Sequence, residues 1–143
     1  MNNLKEKKLN NKGFSLVELI IVIAIMAVLI GVLAPQYLKY VEKSRVSADA
    51  DQIDKLISAV EIYSAENGVV TGTIEIAATT GAVSATSGVP AALTDAGLNS
   101  STLKVTSKTF KKGATIKFDE TGVTVTGAGK TDIAAALGRK EGA

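Results

Sequence analysis

Residues 12–35 read KGFSLVELIIVIAIMAVLIGVLAP, and this stretch decides the fold of the chain. A basic leader ends at Gly13, and the twenty-one residues that follow carry a single charge, Glu18, near their start. A helix of that length spans about 31 Å, which matches a bilayer core of about 30 Å. A carboxylate at the centre of such a segment costs about 2.5–3.5 kcal/mol, and residues of this kind usually have a functional partner.

This motif resembles the class III signal of type IV pilins and related pseudopilins, with Gly13, Phe14, Glu18 and Pro35 at the family's spacing. The resemblance implies that a membrane-embedded prepilin peptidase cleaves between Gly13 and Phe14, and that the new amino terminus of Phe14 is N-methylated. It also implies an assembly role for Glu18, whose carboxylate meets the Phe14 amine of a neighbouring subunit. The resemblance covers about the first third of the chain.

Two other interpretations explain less of the same stretch. An ordinary transmembrane anchor accounts for the apolar run but not for a Glu four residues after Phe14. A secretory signal peptide normally has an apolar region of about 7–15 residues followed by small residues at its cleavage site. The twenty-one-residue run of this chain is longer than that and carries the charge of Glu18. Four lysines precede the span and three basic residues follow it within residues 36–45, so the positive-inside rule only slightly favours a cytoplasmic leader.

The composition narrows the possible functions. The formal charge of the 143 residues is +2, but the leader holds four Lys and one Glu, so residues 14–143 carry 12 basic and 13 acidic side chains. Nucleic-acid binders usually show a basic patch or stripe, which this balance does not suggest. The sequence has no Cys and no His, which excludes thiolate or imidazole metal ligands and any disulfide of the kind many pilins carry.

The helix that starts at Phe14 is predicted to continue to Glu66, with Gly68 as its stop. Its second half, residues 35–67, has an apolar stripe at helical spacing, in which the members are Val46, Ala50, Ile53, Leu56, Ile57, Val60, Tyr63 and Ser64. The charged residues of this half, among them Asp49, are predicted to face solvent or another subunit. Pro35 and Gly31 are predicted to kink or loosen the helix.

The rest of the chain alternates short elements with turns. We predict a strand within residues 71–78, a small polar loop over residues 79–88, and a short helix over residues 89–98 with Pro at its first turn. A β-meander is predicted to follow, with strands over residues 103–110, 114–119 and 123–126. A short helical turn over residues 131–137 and a polar tail complete the chain.

These elements predict an α+β fold with three parts. Residues 1–13 form a cleaved leader, residues 14–34 a transmembrane and assembly helix, and residues 35–143 a head domain. In the head, the second half of the long helix packs against a small antiparallel sheet, which is the pilin fold that the resemblance implies.

Two weaker site candidates lie in the head. Asp119, Glu120 and Asp132 are carboxylates near turns; a calcium site is possible there, although such residues are usually just solvated. Five lysines of the meander favour a solvated strand face over contact with DNA or an anionic surface; they are Lys104, Lys108, Lys111, Lys112 and Lys117. No nucleophile–base pair, phosphate loop or ligand cluster is found, so we expect no enzyme activity, cofactor or small-molecule substrate.

The function predicted from the resemblance is that of a structural subunit of a type IV pilus. Its implied partners are further copies in a helical filament, the prepilin peptidase and N-methyltransferase, the pilus assembly platform and minor pilins. It would be stored in the cell membrane as a single-pass protein with a cytoplasmic amino terminus and then extruded as an extracellular filament. The alternative is a pseudopilin of a type II secretion or DNA-uptake machine. A third reading is a membrane-anchored adhesin or DNA-binding module that does not polymerise.

Overall fold

The computed structural model describes residues 13–142. The chain divides into two compact units, residues 1–38 and residues 39–143, and helix α1 contributes to both. The predicted leader lies outside the described residues except for Gly13.

Helix α1 spans Leu16–Asn67, close to the predicted residues 14–66. Gly68 follows it with a φ of +94°, a conformation that favours glycine, and its N–H donates to the carbonyl oxygen of Ser64 at 3.0 Å. The predicted stop is therefore confirmed, and its physical cause is the backbone freedom of that glycine.

The second unit contains a five-stranded sheet in the order β2-β1-β3-β4-β5. Its strands are β1 Gly72–Ile76, β2 Val83–Ser87, β3 Ala114–Asp119, β4 Gly122–Thr126 and β5 Lys140–Glu141. All pairs are antiparallel except β4 with β5, which are parallel. Helix α2 spans Val89–Asp95 and helix α3 spans Lys130–Leu137.

The core lies between the amphipathic half of α1 and one face of the sheet. Ile53, Ile57 and Val60 of α1 are fully buried and belong to one apolar cluster with the inward residues of β1, β3 and β4. Ile74, Ile116 and Val125 are partners across these strands, so they line a single row of the sheet. The predicted α+β class, with an apolar helix stripe against a mainly antiparallel sheet, is confirmed.

Three local predictions are wrong. Residues 79–88 were expected to be a loop, but Val83–Ser87 forms edge strand β2, because pairing with β1 outweighs the low strand propensity of its small polar residues. The chain after residue 137 was described only as a polar tail, without a strand, but Lys140–Glu141 extends the sheet beside β4.

The third error is the strand predicted over residues 103–110. This segment makes one isolated bridge, between Lys104 and Ala82, and is flanked by 3-10 turns at Ser100–Thr102 and Phe110–Lys112. The N–H groups of Thr106, Ser107 and Lys108 donate to side chains of α1 instead of to a neighbouring strand, so no ladder forms.

Two carboxylates of α1 hold that segment. Asp49 is 1% exposed and accepts from the N–H of Ser107 at 2.7 Å and from the N–H of Thr106 at 3.0 and 3.1 Å. Glu42 accepts from the N–H of Lys108 at 2.5 Å. The prediction that Asp49 faces solvent is therefore wrong, because its charge is buried and satisfied by backbone donors.

An arginine fixes the end of the chain to the same helix. The guanidinium of Arg139 donates to both carboxylate oxygens of Glu61, at 2.6 and 3.2 Å, and to Asp54 at 3.4 Å. The hydrogen bond to Glu61 is the main cause that raises the pKa of Arg139 above its ordinary value. In a chain without cysteine, this bidentate pair and the Asp49 contacts link distant segments to α1.

Candidate processing and assembly segment

The predicted cleavage site lies in non-helical backbone directly before α1. Residues 13–15 have no regular secondary structure, and α1 begins at Leu16. Gly13 is exposed, and nothing lies within 4 Å of the position that a Cβ would occupy there. Phe14 is 91% exposed. The peptide bond between the two is therefore accessible in this chain, as a protease substrate requires.

Glu18 forms a capping box with Ser15 at the start of α1. The Ser15 N–H donates to Oε2 of Glu18 at 3.0 Å, and the Glu18 N–H donates to the Ser15 hydroxyl oxygen at 3.2 Å. Each side chain thus satisfies a backbone donor that the first turn of a helix leaves unpaired. A carboxylate here is also favoured by the positive end of the helix dipole.

Ser15 is a residue that the sequence reasoning missed. The signal was present, because Ser followed three residues later by Glu before an apolar run is the sequence pattern of a capping box. The pair gives Glu18 a partner within its own chain and uses one of its two carboxylate oxygens. Oε1 makes no hydrogen bond to the described residues, 13–142.

The first unit exposes apolar side chains on every side of its helix. All residues from Leu16 to Leu38 are exposed, and an 18-residue window of α1 is long and apolar enough to cross a membrane, with none of it buried within the chain. An exposed apolar surface of this extent exceeds what soluble monomers carry and marks a site of contact with protein or membrane.

The predicted kink residues lie within this helix. α1 contains Pro35 in its interior, and helical structure is assigned on both sides of it. Gly31, one turn earlier, has open space around the position of a Cβ. A bend at these residues stays a prediction.

Asp119 and Asp132, two carboxylates of the possible calcium site, make contacts with different residues. Asp119 accepts from the N–H and hydroxyl of Thr121, and Lys117 lies 3.4 Å from it. These interactions, the Thr121 hydroxyl first, lower the pKa of Asp119 below its ordinary value of 3.8. Asp132 pairs instead with Lys112. Residues 13–142 contain no group of three or more acidic side chains placed to hold a metal ion.

Two of the five lysines of the predicted meander pair with carboxylates. Lys112 and Lys117 form the ion pairs described above, Lys104 makes the backbone bridge to Ala82, and Lys108 is tied to Glu42 through its backbone. Charge on this part of the head is therefore partly neutralised.

Comparison with known proteins agrees with the motif. A family model described as the prokaryotic N-terminal methylation motif matches residues 8–34. The chain is 40% identical over 50 residues to a type IV major fimbrial protein FimA of Dichelobacter nodosus, which is 35% of this chain and 32% of that protein. It is 38% identical over 50 residues to a fimbrial protein of Pseudomonas aeruginosa, again 35% of this chain and 32% of the relative.

The chain spans about a third of the length of the curated relatives that it matches. No solved structure matches it. The matched motif contains Gly13, Phe14, Glu18 and the whole apolar run up to residue 34. The chain therefore carries a prokaryotic N-terminal methylation motif over residues 8–34, and over a 50-residue stretch it is similar to type IV fimbrial proteins.

Proposed function

We propose that this chain is a structural subunit of a type IV pilus. A prepilin peptidase cleaves it after Gly13, the new amino terminus of Phe14 is N-methylated, and the processed subunit polymerises into an extracellular filament. Before assembly it is held in the cell membrane by residues 14–34 with its amino terminus in the cytoplasm. Its partners are other copies, the processing enzyme, the assembly platform and minor pilins, and its role is structural and not enzymatic.

The observation that carries this proposal is the apolar helix of the first unit. It is exposed on all sides, and the carboxylate of Glu18 takes part in its N-terminal capping box, inside the methylation motif. Lipid can cover such a helix in the stored subunit, and like helices can cover it in a filament. Because lipid tails are themselves apolar, close packing and polar contacts must favour the exchange from lipid to filament.

Glu18 supplies the polar contact in this proposal. After cleavage the Phe14 amine would carry a positive charge beside the positive end of the α1 dipole, where a cation is unfavourable. A carboxylate from a neighbouring subunit offsets both the charge of the amine and its unfavourable interaction with the dipole. The Oε1 atom of Glu18 is available for this contact while Oε2 bonds to Ser15. A subunit placed in the wrong axial register would bury both charges without partners, so the contact also selects the register.

Fractionation of cells tests this proposal against the pseudopilin alternative. The chain should be abundant in filaments sheared from the cell surface, and the relatives named as fimbrial proteins support this expectation. A processed chain confined to the membrane fraction would favour a pseudopilin of a secretion or DNA-uptake machine. A chain that stays in membranes and is indifferent to Glu18→Ala would favour the anchored, non-polymerising reading.

A further inference from the structure

A groove runs along the second unit between α1 and α2. Its volume is about 560 Å³, and small side chains form its floor, namely Ser58 and Ala59 of α1, Ala92 of α2, and Ala96 directly after α2. Ile62, which is 62% exposed, lines one wall. Ile62 and the small side chains beside it form an open depression with an apolar part that can accommodate a large side chain.

The rim of this groove is acidic. Glu66 and Asp95 lie on it and are exposed, and neither takes part in an ion pair within residues 13–142. Asp54 also lies on the rim but is already bonded to Arg139, and Lys55 adds one positive charge. The unpaired carboxylates therefore flank the apolar part of the groove and favour an occupant that combines an apolar side chain with cations.

Such a combination is present at the start of the same unit. Tyr40 is 71% exposed, and Lys39 and Lys43 are exposed beside it. On a helix of 3.6 residues per turn these three positions fall within an arc of about 100°, so they form one ridge. Neither lysine makes an ion pair within the described part of the chain.

We propose that this ridge of one copy docks into the groove of a second copy, with Tyr40 on the apolar floor and Lys39 and Lys43 beside Asp95 and Glu66. The inference rests on the proposed polymerisation and identifies a contact between the second units of neighbouring copies within it. The amphipathic ring of tyrosine suits a site with an apolar floor and a wet rim. The opposite charges of ridge and rim fix which way the second copy approaches.

The ridge and the groove are different surfaces and lie apart on the subunit, and this determines which kind of assembly the contact forms. Tyr40 of the ridge and Ser58 of the groove are 18 residues apart on α1, so they are separated by about 27 Å along the helix. A contact between two different surfaces of identical subunits is heterologous, and it forms an open filament when the rotation does not close. The docking therefore leaves a free ridge at one end of the assembly and a free groove at the other.

Thiol cross-linking tests the contact, because the chain has no cysteine of its own. Lys43→Cys and Asp95→Cys are introduced together, and sheared filaments are treated with a short bismaleimide. We expect a ladder of covalent dimers, trimers and longer products from the double variant, and monomer from each single variant. The matched control replaces Lys43→Cys by Lys117→Cys, an exposed lysine on the outer sheet face, and should give no ladder.

Charge exchange provides a second measurement that does not depend on cysteine. Lys43→Glu and Asp95→Lys should each lower the yield of sheared filaments about tenfold, and the combined variant should restore most of it. Filaments that form normally but give neither a ladder nor this rescue would overturn the docking and leave the pilus proposal standing. Failure of the unmodified chain to form filaments would overturn both.

Discussion

Removing the buried carboxylate of Asp49 should destabilise the head more than any other single change of charge on α1. In Asp49→Ala the N–H groups of Thr106 and Ser107 lose their acceptor. A buried donor without a partner costs about 1–3 kcal/mol, and the Ser107 N–H is buried while that of Thr106 is partly so. We therefore expect a loss of about 3 kcal/mol in the free energy of unfolding, a large fraction of the about 5–15 kcal/mol typical of a domain.

The assay is urea unfolding of the full chain in detergent micelles, read by pulse proteolysis of the head. Asp49→Asn keeps one acceptor oxygen and should lose about half as much. Asp51→Ala is the matched control, because Asp51 is exposed on the same helix and should change stability by less than about 0.5 kcal/mol. Equal stability of Asp49→Ala and Asp51→Ala would refute the reasoning.

Four further changes have distinct expected results. Gly13→Val should leave the chain uncut in cells with active prepilin peptidase, since the side chain obstructs the scissile bond; normal cleavage on immunoblots would show that the site is misassigned. Glu18→Ala should be processed normally yet lose most sheared filament, and a normal yield would remove Glu18 from assembly. Arg139→Lys should lower head stability by about 1 kcal/mol in the same urea assay, because lysine cannot reproduce the bidentate contact; an unchanged midpoint would contradict this. Thr121→Ala should raise the pKa of Asp119 toward 3.8 in an NMR titration. In the unmodified chain the hydrogen bonds from Thr121 favour the ionised form of Asp119 and thereby stabilise the β3–β4 turn. This contribution is present above pH 3.8 and is lost as the pH falls through the lower pKa of the folded state. An Asp119 pKa that does not change in Thr121→Ala would refute the assignment.

The sequence was sufficient for features that depend on local pattern. The apolar run, the helical stripe through Ile53 and Val60, and the stop at Gly68 follow from spacing and backbone preference. The alternating residues of β3 and β4 likewise predicted a hairpin that the structure contains. Each of these features is set by neighbours within one or two turns or strands.

What the sequence did not reveal depends on contacts between distant residues. Asp49 looked like a solvent-facing charge because its partners, Thr106 and Ser107, lie 57 and 58 residues away. The same contacts explain why residues 103–110 are not a strand despite their alternation. Edge strand β2 and the short β5 form because a partner strand is present, which no local propensity indicates.

The candidate segment shows the same division. Gly13, Phe14 and Glu18 were recognisable from their spacing, and the methylation motif matched at residues 8–34 contains all three. The capping role of Ser15 was also readable in the sequence but was not used. The acidic groove along α1 could not be predicted, because it forms only where α2 packs beside α1.

The central claim is that this chain is cut after Gly13 and polymerises through the segment that begins at Phe14. Mass spectrometry of the amino-terminal peptide from sheared surface filaments tests it most directly. The account predicts a peptide that begins at N-methylated Phe14 and is abundant in that fraction. A chain that still begins at Met1, in cells whose prepilin peptidase is active, would contradict it.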